Sequence, residues 1–466
     1  MVTTVLPVRE DDTAPTTRGL IADRVAMVSL FVFACGWFSW GIETPSLWRD
    51  EVVTATMVGG SPVAIFDVVH HHFDRVHFVY YELMWAWTQV FGTSEVSLRV
   101  PSLVAMAITA VVVFSIARRY VSWLGAMSAG LVYVLLPSST RYAQEARSTA
   151  LIVAGVAIAT WLMLRAVETR NNRYWVAYIL LMSGLCFLNL LVPLALIPHA
   201  AYLYRRVPVR TMALLWAPVF AASAFVGLIS VRQRGQVAWI PGPSLEQLLL
   251  GFVSVSGGAL VLLVVAIGVL GTLVWTAVGR RWSEVGWILA GLMIPFALLA
   301  ISYVKPMFVP RYVMFVAVFL ALAMVIAAAR IHVALPVVVV VAVLVLGWSN
   351  QTFLRTSASH NEDFRAAAAF LRAQTTRDDA IVYATPTVRM GLDYYAPKGL
   401  PAADPLAVPA RDGLLPDNSP CAADSTAAFA RVWSLVFIRT SDFECTSGKH
   451  LVSRRYFGTL VLNLYE

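Results

Sequence analysis

Charged residues are scarce in this chain. They make up 13% of its 466 residues, whereas soluble globular proteins carry about 25%. Apolar residues reach 59%, and the mean hydropathy is +0.72. This composition excludes an ordinary soluble domain and predicts a polytopic membrane protein. The net charge of +8 is therefore not interpreted as a nucleic-acid-binding surface, and we expect no nucleic-acid partner.

Cysteine is also rare. Four cysteines are too few for a disulfide-based fold. Cys35 and Cys186 lie in apolar runs, whereas Cys421 and Cys445 lie in a polar tail and could pair if that tail is outside the cytosol. Lysine is scarce while alanine, valine and arginine are abundant. This bias is typical of GC-rich bacteria, and we expect an actinobacterial origin.

Long apolar runs, by contrast, recur along the chain. A membrane-spanning helix needs about 20 apolar residues. We predict about eleven spans, at 25–42, 100–117, 122–137, 148–164, 174–189, 191–204, 212–230, 258–278, 285–302, 312–329 and 332–348. The first run lacks a small-residue cleavage site, so we expect it to be retained in the protein. The stretch 174–204 is divided at Asn189 and Pro193, where we expect a turn.

Arginines cluster at alternate ends of these spans. They are Arg18, Arg24, Arg118, Arg119, Arg165, Arg170, Arg173, Arg205, Arg206, Arg210, Arg280, Arg281 and Arg330. Cytoplasmic loops carry such an excess of positive charge. If all these arginines are cytoplasmic, the opposite face receives residues 43–99, 138–147, 231–256, 303–311 and everything after 349. The predicted location is the plasma (inner) membrane, with these segments periplasmic or extracellular.

The predicted fold class follows from this division. Residues 1–24 form a cytoplasmic tail, 25–349 an all-α polytopic membrane domain, and 350–466 a small external α/β domain. In the first external loop, 43–99, the short apolar segment 78–91 is predicted to be a juxtamembrane helix in the outer interface. In the tail we expect an amphipathic helix and strands at 381–385, 431–439 and 456–465.

The external segments contain an unusual set of ionisable residues. Ionisable groups near a bilayer are costly unless they are paired or functional. The acids are Asp50, Glu51, Asp74 and Glu145, the bases are Arg99, Arg147, Lys305 and Arg311, and His77, Tyr80 and Tyr81 lie among them in sequence. The sequence predicts that Asp50 lies within a substrate's reach of Arg99, Arg147 and Arg311.

Each of these residues also has a purely structural interpretation, which stays open at this point. Arg99 and Arg311 could extend toward the membrane interface. Glu145 and Arg147 could form a structural ion pair. Asp50 and Glu51 could be a surface pair, although they follow the end of a span closely.

A metal site is a further possibility in the first external loop. If residues 67–78 are helical, His70, Asp74 and His77 fall on one face, and histidine with aspartate can bind a divalent metal. The alternative is that the run of histidines at 70–72 is a solvated loop. No cofactor is expected with certainty, and a divalent metal remains a candidate.

The set fits a particular chemistry. An enzyme that takes a sugar from a lipid phosphate on this face needs a carboxylate that accepts the proton of the acceptor hydroxyl. It also needs cations at the phosphate that leaves. Asp50 suits the first role, and the arginines and the lysine suit the second. The apolar spans offer a groove for a polyprenyl chain.

At these residues the sequence resembles the protein-mannosyltransferase-type GT-C glycosyltransferases (PMT- and ArnT-type, family 39-like). The segments that carry the resemblance are LWRDEVVTATM, HHFDRVHFVYYELMWAWTQVFGTSEVSLRVPS, RYAQEARSTAL and PRYVMF. They occur in order from about 45 to 155 and again near 303–315. The tail does not share this resemblance clearly.

The resemblance implies a polyprenyl-phosphate-sugar donor, an inverting transfer, Asp50 as general base and Arg99 near the donor phosphate. Many members have His-Pro-Pro before the tyrosine pair. Here His77 aligns but the prolines are absent, which suggests a subfamily with its own acceptor. Asp74 and His77 are therefore site candidates by position only, and Glu51 is expected to orient its neighbours or the acceptor.

The leading hypothesis is thus a membrane glycosyltransferase that acts on the outer face. It would move a hexose, such as mannose, to an envelope lipid, glycan or protein, among membrane lipids. The alternative is a transporter or flippase of a lipid-linked sugar, which would place charges near the middle of the membrane. A third hypothesis is an envelope scaffold, but it leaves the residues around Asp50 unexplained.

Overall fold

The computed structural model describes residues 17–71, 74–231, 233, 235, 238–408, 414, 417–422, 424–438, 445–446 and 448–466. Residues 1–16 of the predicted N-terminal tail and His72 lie outside this range. The first helix already begins at Thr17, earlier than the hydropathy of the sequence indicates.

Apolar helices account for most of the chain up to residue 353. In order they are α1 Thr17–Ser39, α2 Arg49–Val58, α3 Pro62–His71, α4 Phe78–Phe91, α5 Glu95–Ala117, α6 Trp123–Leu135, α7 Pro137–Ala143, α8 Thr149–Thr169, α9 Asn172–Leu185, α10 Leu196–Leu203, α11 Val209–Ser230, α12 Leu245–Ser256, α13 Ala259–Val278, α14 Trp282–Gly291, α15 Ile294–Ser302, α16 Val316–Ile331 and α17 Leu335–Phe353.

Within the described residues, six helices are long and apolar enough to cross a membrane: α1, α5, α8, α11, α13 and α17. The pair α14 and α15, bent by 44°, makes a seventh if it is one span. The shorter apolar helices include α6, α12 and α16. A helix or a helix pair lies at each of the eleven predicted positions, but several are short, so the number of spans stays a prediction.

The bundle is built around α16. Every residue of this helix from Val316 to Ala327 is buried, as expected for a helix that is apolar on all sides. The outer helices instead expose large apolar side chains, such as Val28, Leu228 and Val345. Exposed apolar surface of this extent indicates contact with lipid. The chain is therefore a multi-pass membrane protein.

The loops gather at two opposite ends of the bundle. At one end Arg118 pairs with Asp23 and Arg119 with Glu168. At the other end α2 and α7 meet the residues that follow α17, because Arg141 donates to the Ser359 carbonyl at 2.7 Å. The loops at these two ends correspond to the two sets of loops that the arginine pattern assigns to opposite faces of the membrane. Which end faces the cytoplasm stays a prediction.

The segment 231–256 differs from the external loop that the sequence predicts. Its second half is the helix α12, whose N-terminus is capped by Ser244, the side chain accepting from the Gln247 amide at 3.1 Å. The buried side of α12 contains Leu248 and Val255, while Leu249 and Leu250 are exposed. Its 12 residues are too few to be recognised as a span by length alone.

The chain ends in an α/β unit. Its elements are α18 Phe364–Gln374, β1 Asp379–Tyr383, α19 Pro386–Tyr395, β2 Ala407–Val408, β3 Asp417–Asn418, β4 Arg431–Phe437, β5 Leu451–Phe457 and β6 Leu460–Tyr465. Four strands form one sheet in the order β1-β4-β6-β5, with β1 parallel to β4 and the other neighbours antiparallel. Cys421 and Cys445 form a disulfide. The predicted domain boundaries are not tested by these observations.

A short connector, residues 357–363, joins α17 to this unit. It lies against the β5–β6 turn, where the Thr459 amide donates to the Asn361 carbonyl at 2.5 Å. Gly458 in that turn has φ +69°, and a Cβ there would collide with the Asn361 carbonyl. The turn therefore requires glycine both for its backbone conformation and for its close approach to the connector.

Glu362 on this connector holds the start of α2. One carboxylate oxygen accepts from the Arg49 amide at 2.6 Å, and the other accepts from the Arg49 guanidinium. Only 2% of the Glu362 side chain is exposed. The first N–H groups of a helix have no partner within the helix, so the connector supplies α2 with a cap from a distant part of the chain.

We expect Glu362→Ala to loosen the N-terminus of α2. Hydrogen bonds that involve a charged group contribute about 1.5 to 3 kcal/mol, so the variant should unfold at a lower temperature in detergent. Hydrogen exchange of peptides spanning 45–58 should also be faster. Glu43→Ala is the matched control, because Glu43 is exposed and uses only its carbonyl, as an acceptor from Arg365. Unchanged exchange in Glu362→Ala would contradict the capping role.

Candidate active site

The first turn of α2 presents two adjacent carboxylates. Asp50 and Glu51 both lie in this turn, where the unpaired amides of a helix N-terminus favour negative charge. The Trp48 amide donates to Glu51 Oε2 at 3.3 Å. Because the two side chains leave the helix in different directions, the surroundings of the two carboxylates differ strongly.

Glu51 forms a buried, two-pronged ion pair with Arg99 at the start of α5. Arg99 Nε donates to Oε1 at 2.8 Å and Nη2 to Oε2 at 2.7 Å, and both side chains are fully buried. The Ala146 amide also donates to Oε1, at 2.8 Å. Burial opposes ionisation, but the charge of Arg99 holds the pKa of Glu51 well below its usual range.

Arg99 has no donor left for a ligand. Besides its bonds to Glu51, the guanidinium donates to the carbonyls of Ile42, Pro45 and Ser46, which accounts for its five N–H groups. The expectation that Arg99 lies near a donor phosphate, or extends toward the interface, is therefore replaced by a structural role.

Asp50 is directed toward different partners. Arg311 Nη1 lies 2.9 Å from Asp50 Oδ2, and 21% of the Asp50 side chain is exposed. Arg147 Nη1 donates to the Asp50 carbonyl at 3.4 Å. Burial would raise the pKa of Asp50, but the charges of Arg147 and Arg311 lower it overall. Asp50 is thus an ionised carboxylate with two arginines beside it.

The segment around Asp74 is not the helix that a metal site requires. The helix α3 ends at His71, Asp74 has φ +62°, and a separate 3-10 turn covers Arg75–His77. This interruption places His70, Asp74 and His77 off a common helix face. Among the described residues, no group of three or more His, Cys, Asp or Glu side chains could hold a metal ion. The proposed metal set is therefore wrong as a helix-face site.

Asp74 instead belongs to a hydrogen-bonded chain. Tyr81 donates to Asp74 Oδ2 at 2.6 Å, and Arg147 Nη1 donates to the Tyr81 hydroxyl at 3.3 Å. Tyr80 is also buried. Burial lowers the pKa of His77 to about 4, so this imidazole is neutral at physiological pH. Tyr81, itself held by Asp74, thus helps to position Arg147.

A cavity of about 280 Å³ opens beside this arrangement. Its polar lining includes Arg147, Lys305, Arg311, Glu145 and His77, all of which the sequence pattern singles out. The remaining wall is largely apolar and comes from α8, the turn after α9, the end of α11 and the 303–312 loop. It includes Ile152, Leu188, Leu190, Leu191, Val231 and Met307. One part of the cavity is thus cationic and another is apolar.

Glu145 does not pair with Arg147, contrary to the structural alternative for these two residues. Its nearest cation in the described part of the chain is Arg141, at 3.8 Å from Nε to Oε2. Oε1 is buried and has no hydrogen-bond partner within the described part of the chain. Burial raises the pKa of Glu145 to about 7.

Two residues of the site come from the connector after α17 and were missed by the sequence analysis. His360 Nδ1 lies 3.3 Å from Glu51 Oε2 and 3.2 Å from the Ser46 carbonyl, and Glu362 caps α2. The segment SASHNED follows the last span directly, so its polarity could have marked it as part of the site.

A family model described as dolichyl-phosphate-mannose-protein mannosyltransferase matches residues 77–232. This range contains Arg99, Glu145 and Arg147, whereas Asp50 and Arg311 lie outside it. No curated protein sequence matches the chain significantly.

Solved structures match nearly the whole chain. ArnT from Cupriavidus metallidurans in the apo state is similar with a TM-score of 0.58 and 12% identity, covering 96% of this chain and 98% of that one. The same protein bound to undecaprenyl phosphate matches with a TM-score of 0.53, again at 12% identity and over 96% and 98% of the two chains. The arabinosyltransferase EmbB from Mycobacterium smegmatis matches with a TM-score of 0.45 and 16% identity, over 71% of this chain and 31% of that one.

At this level of identity, the likeness to ArnT concerns the fold. The chain has the fold of ArnT, which is mostly helical, and several of its helices are long and apolar enough to cross a membrane. The predicted fold class is confirmed to that extent. The number of spans, the domain boundaries and the roles of individual site residues stay predictions.

We expect Arg99→Leu to destabilise the protein strongly. It leaves Glu51 as a buried, unpaired charge, and breaking a buried ion pair costs about 3 to 5 kcal/mol. Adding Glu51→Gln to Arg99→Leu should recover part of the loss, because the buried charge is then gone. The unfolding temperatures of the single and the double variant in detergent measure the loss and its recovery.

The matched control is Arg118→Leu at the opposite end of the bundle. Arg118 pairs with Asp23 at 3.1 Å, but about a third of each side chain is exposed, and such pairs contribute about 1 kcal/mol or less. Equal losses for Arg99→Leu and Arg118→Leu would show that the buried pair has no special structural importance.

Proposed function

We propose that the chain is an integral-membrane glycosyltransferase that transfers a sugar from a polyprenyl-phosphate donor to an acceptor hydroxyl on the outer face of the membrane. The observation that carries the proposal is the cavity beside Asp50, which joins three cations to an apolar wall. A lipid phosphate has these two parts, since its phosphate needs cations and its chain needs apolar contacts. The fold shared with ArnT, which was solved with undecaprenyl phosphate, supports this class of ligand.

In this proposal the transfer occurs in one displacement. The acceptor oxygen attacks the anomeric carbon of the donor sugar, and the bond from that carbon to the phosphate oxygen breaks. The acceptor proton passes to Asp50, and the anomeric configuration is inverted. The phosphate, which gains negative charge as it leaves, stays beside Arg147, Lys305 and Arg311.

The low pKa of Asp50 is compatible with the role of general base. The carboxylate is ionised at every physiological pH and is always ready to accept a proton. The acceptor hydroxyl becomes strongly acidic only as its oxygen bonds to the sugar carbon, so a weak base suffices if the proton moves late. Arg311 contacts Asp50 and lines the cavity, so it links the base to the leaving phosphate.

The sugar, the acceptor and the membrane location are part of the same proposal. The sugar is a hexose such as mannose, and the acceptor is an envelope lipid, glycan or protein. The membrane is the plasma (inner) membrane, with the site and the α/β unit on its periplasmic or extracellular face. The residues of the cavity lie near helix ends, where an enzyme at the membrane surface needs them. A flippase would need them near the middle of the membrane.

We expect Asp50→Asn to lower the rate of sugar transfer by roughly 100-fold to 10,000-fold, which is the usual contribution of a general base. The assay uses proteoliposomes with polyprenyl-phosphate mannose and an envelope fraction as acceptor. Binding of undecaprenyl phosphate should be unchanged. Asp67→Asn is the control, because Asp67 lies in the same external segment but is half exposed and contacts only His71. Undiminished transfer by Asp50→Asn would exclude Asp50 as the base.

We expect Lys305→Met to weaken the binding of undecaprenyl phosphate by roughly tenfold to a hundredfold, because a hydrogen bond to a charged group contributes about 1.5 to 3 kcal/mol. The dissociation constant is measured with the purified protein in nanodiscs. Lys398→Met, at an exposed lysine of the tail, is the control and should bind as the wild type does. If both variants bind equally well, the phosphate does not occupy this cavity.

A further inference from the structure

Three carboxylates surround the proposed site, and their partners differ. Asp50 has Arg311 at 2.9 Å and Glu51 has Arg99 at 2.7 Å. Among the described residues, the cation nearest to Glu145 is Arg141, at 3.8 Å. Only Glu145 therefore lacks a close positive partner, although it is as deeply buried as Glu51.

The location of Glu145 makes this lack of a partner significant. The residue lies in the loop between α7 and α8 and lines the cavity that also contains Arg147, Lys305 and Arg311. Its Oε1 is buried without a hydrogen-bond partner in the described part of the chain. Buried polar atoms are nearly always hydrogen-bonded, so a phosphate oxygen that reaches this carboxyl from the cavity would supply the missing partner.

Burial, and not the surrounding charges, is the main reason why the pKa of Glu145 is raised. Burial penalises its charged form most, and the negative charges of Asp50 and Glu51 on α2 act in the same direction. Arg141 on α7 and Arg311 in the turn Pro310–Val313 oppose this effect, but they leave the pKa at about 7. Arg147, Lys305 and the neutral His77 line the same cavity, so a lipid phosphate there meets the carboxyl together with these groups.

We propose that Glu145 works as a neutral carboxylic acid whose Oε1–H donates a hydrogen bond to a phosphate oxygen of the polyprenyl-phosphate donor. The proposal rests on the proposed function, since the ligand is the donor of that reaction. Glu145 keeps its proton throughout: the acceptor proton passes to Asp50, and the hydrogen bond from Glu145 shortens as the leaving phosphate gains charge. An ionised Glu145 would instead repel the phosphate.

The proposal predicts how binding depends on pH. As the pH rises above about 7, Glu145 of the wild type ionises, and its affinity for undecaprenyl phosphate should fall about tenfold between pH 6 and pH 8.5 relative to Glu145→Gln. The glutamine cannot ionise and keeps an N–H donor. Ionisation of the phosphate itself affects both proteins equally, so the ratio of their dissociation constants isolates Glu145.

Further variants separate a hydrogen-bond donor from other roles. Glu145→Ala should bind about fivefold to tenfold more weakly than the wild type at pH 6, and Glu145→Gln should not. Glu246→Gln, at an exposed carboxyl on α12, should keep the pH profile of the wild type. Any loss of sugar transfer by Glu145→Gln at pH 6 should match its loss of undecaprenyl phosphate binding. Loss of transfer with unchanged binding would mean that Glu145 moves a proton, which overturns the proposal.

The experiment also distinguishes this proposal from the proposed function. If the wild type and Glu145→Gln bind undecaprenyl phosphate with the same pH profile, the role of Glu145 is wrong while the binding site stands. If the wild type does not bind undecaprenyl phosphate at any pH, the proposed function fails, and the role of Glu145 fails with it.

Discussion

The buried ion pair between Glu51 and Arg99 is the constraint on which the site depends. It joins the first turn of α2 to the start of α5, and the Ala146 amide adds the loop before α8. A buried charge pair is tolerated only when its remaining hydrogen-bonding groups are satisfied. Here three backbone carbonyls accept the remaining N–H groups of Arg99. Because Asp50 is the neighbour of Glu51 on α2, the pair also determines where Asp50 points.

The two adjacent acids thus have separate tasks. Glu51 pairs with Arg99 inside the protein and accepts hydrogen bonds from the Trp48 and Ala146 amides. Asp50 remains partly exposed and forms an ion pair with Arg311, which also lines the cavity. Two carboxylates one residue apart therefore differ: Glu51 is a structural anchor, and Asp50 is the carboxylate that we propose as the base. The difference lies in what each side chain contacts.

The sequence predicted the parts of this arrangement that depend on periodicity and charge. Apolar run lengths located the helices, and the alternation of arginines placed the segments of Asp50, Arg147 and Arg311 together. It could not predict that Arg99 pairs with Glu51 rather than facing a ligand, because both roles need an arginine at the same helix start. Nor could it foresee the left-handed conformation of Asp74, which breaks the expected helix. The backbone conformation of a single residue depends on tertiary contacts, which the spacing of residues in the sequence does not predict.

The contacts of the connector after α17 could not be predicted from the sequence either. Hydropathy separates the membrane helices from the α/β unit, and it therefore suggests two independent parts. The contacts are instead reciprocal: Glu362 caps α2, His360 approaches Glu51, and the β5–β6 turn holds the connector at Gly458. Any displacement of the sheet would pull on this connector and hence on the first turn of α2. The α/β unit is thereby connected through the connector to the carboxylate proposed to accept the proton, although none of its described residues lines the cavity.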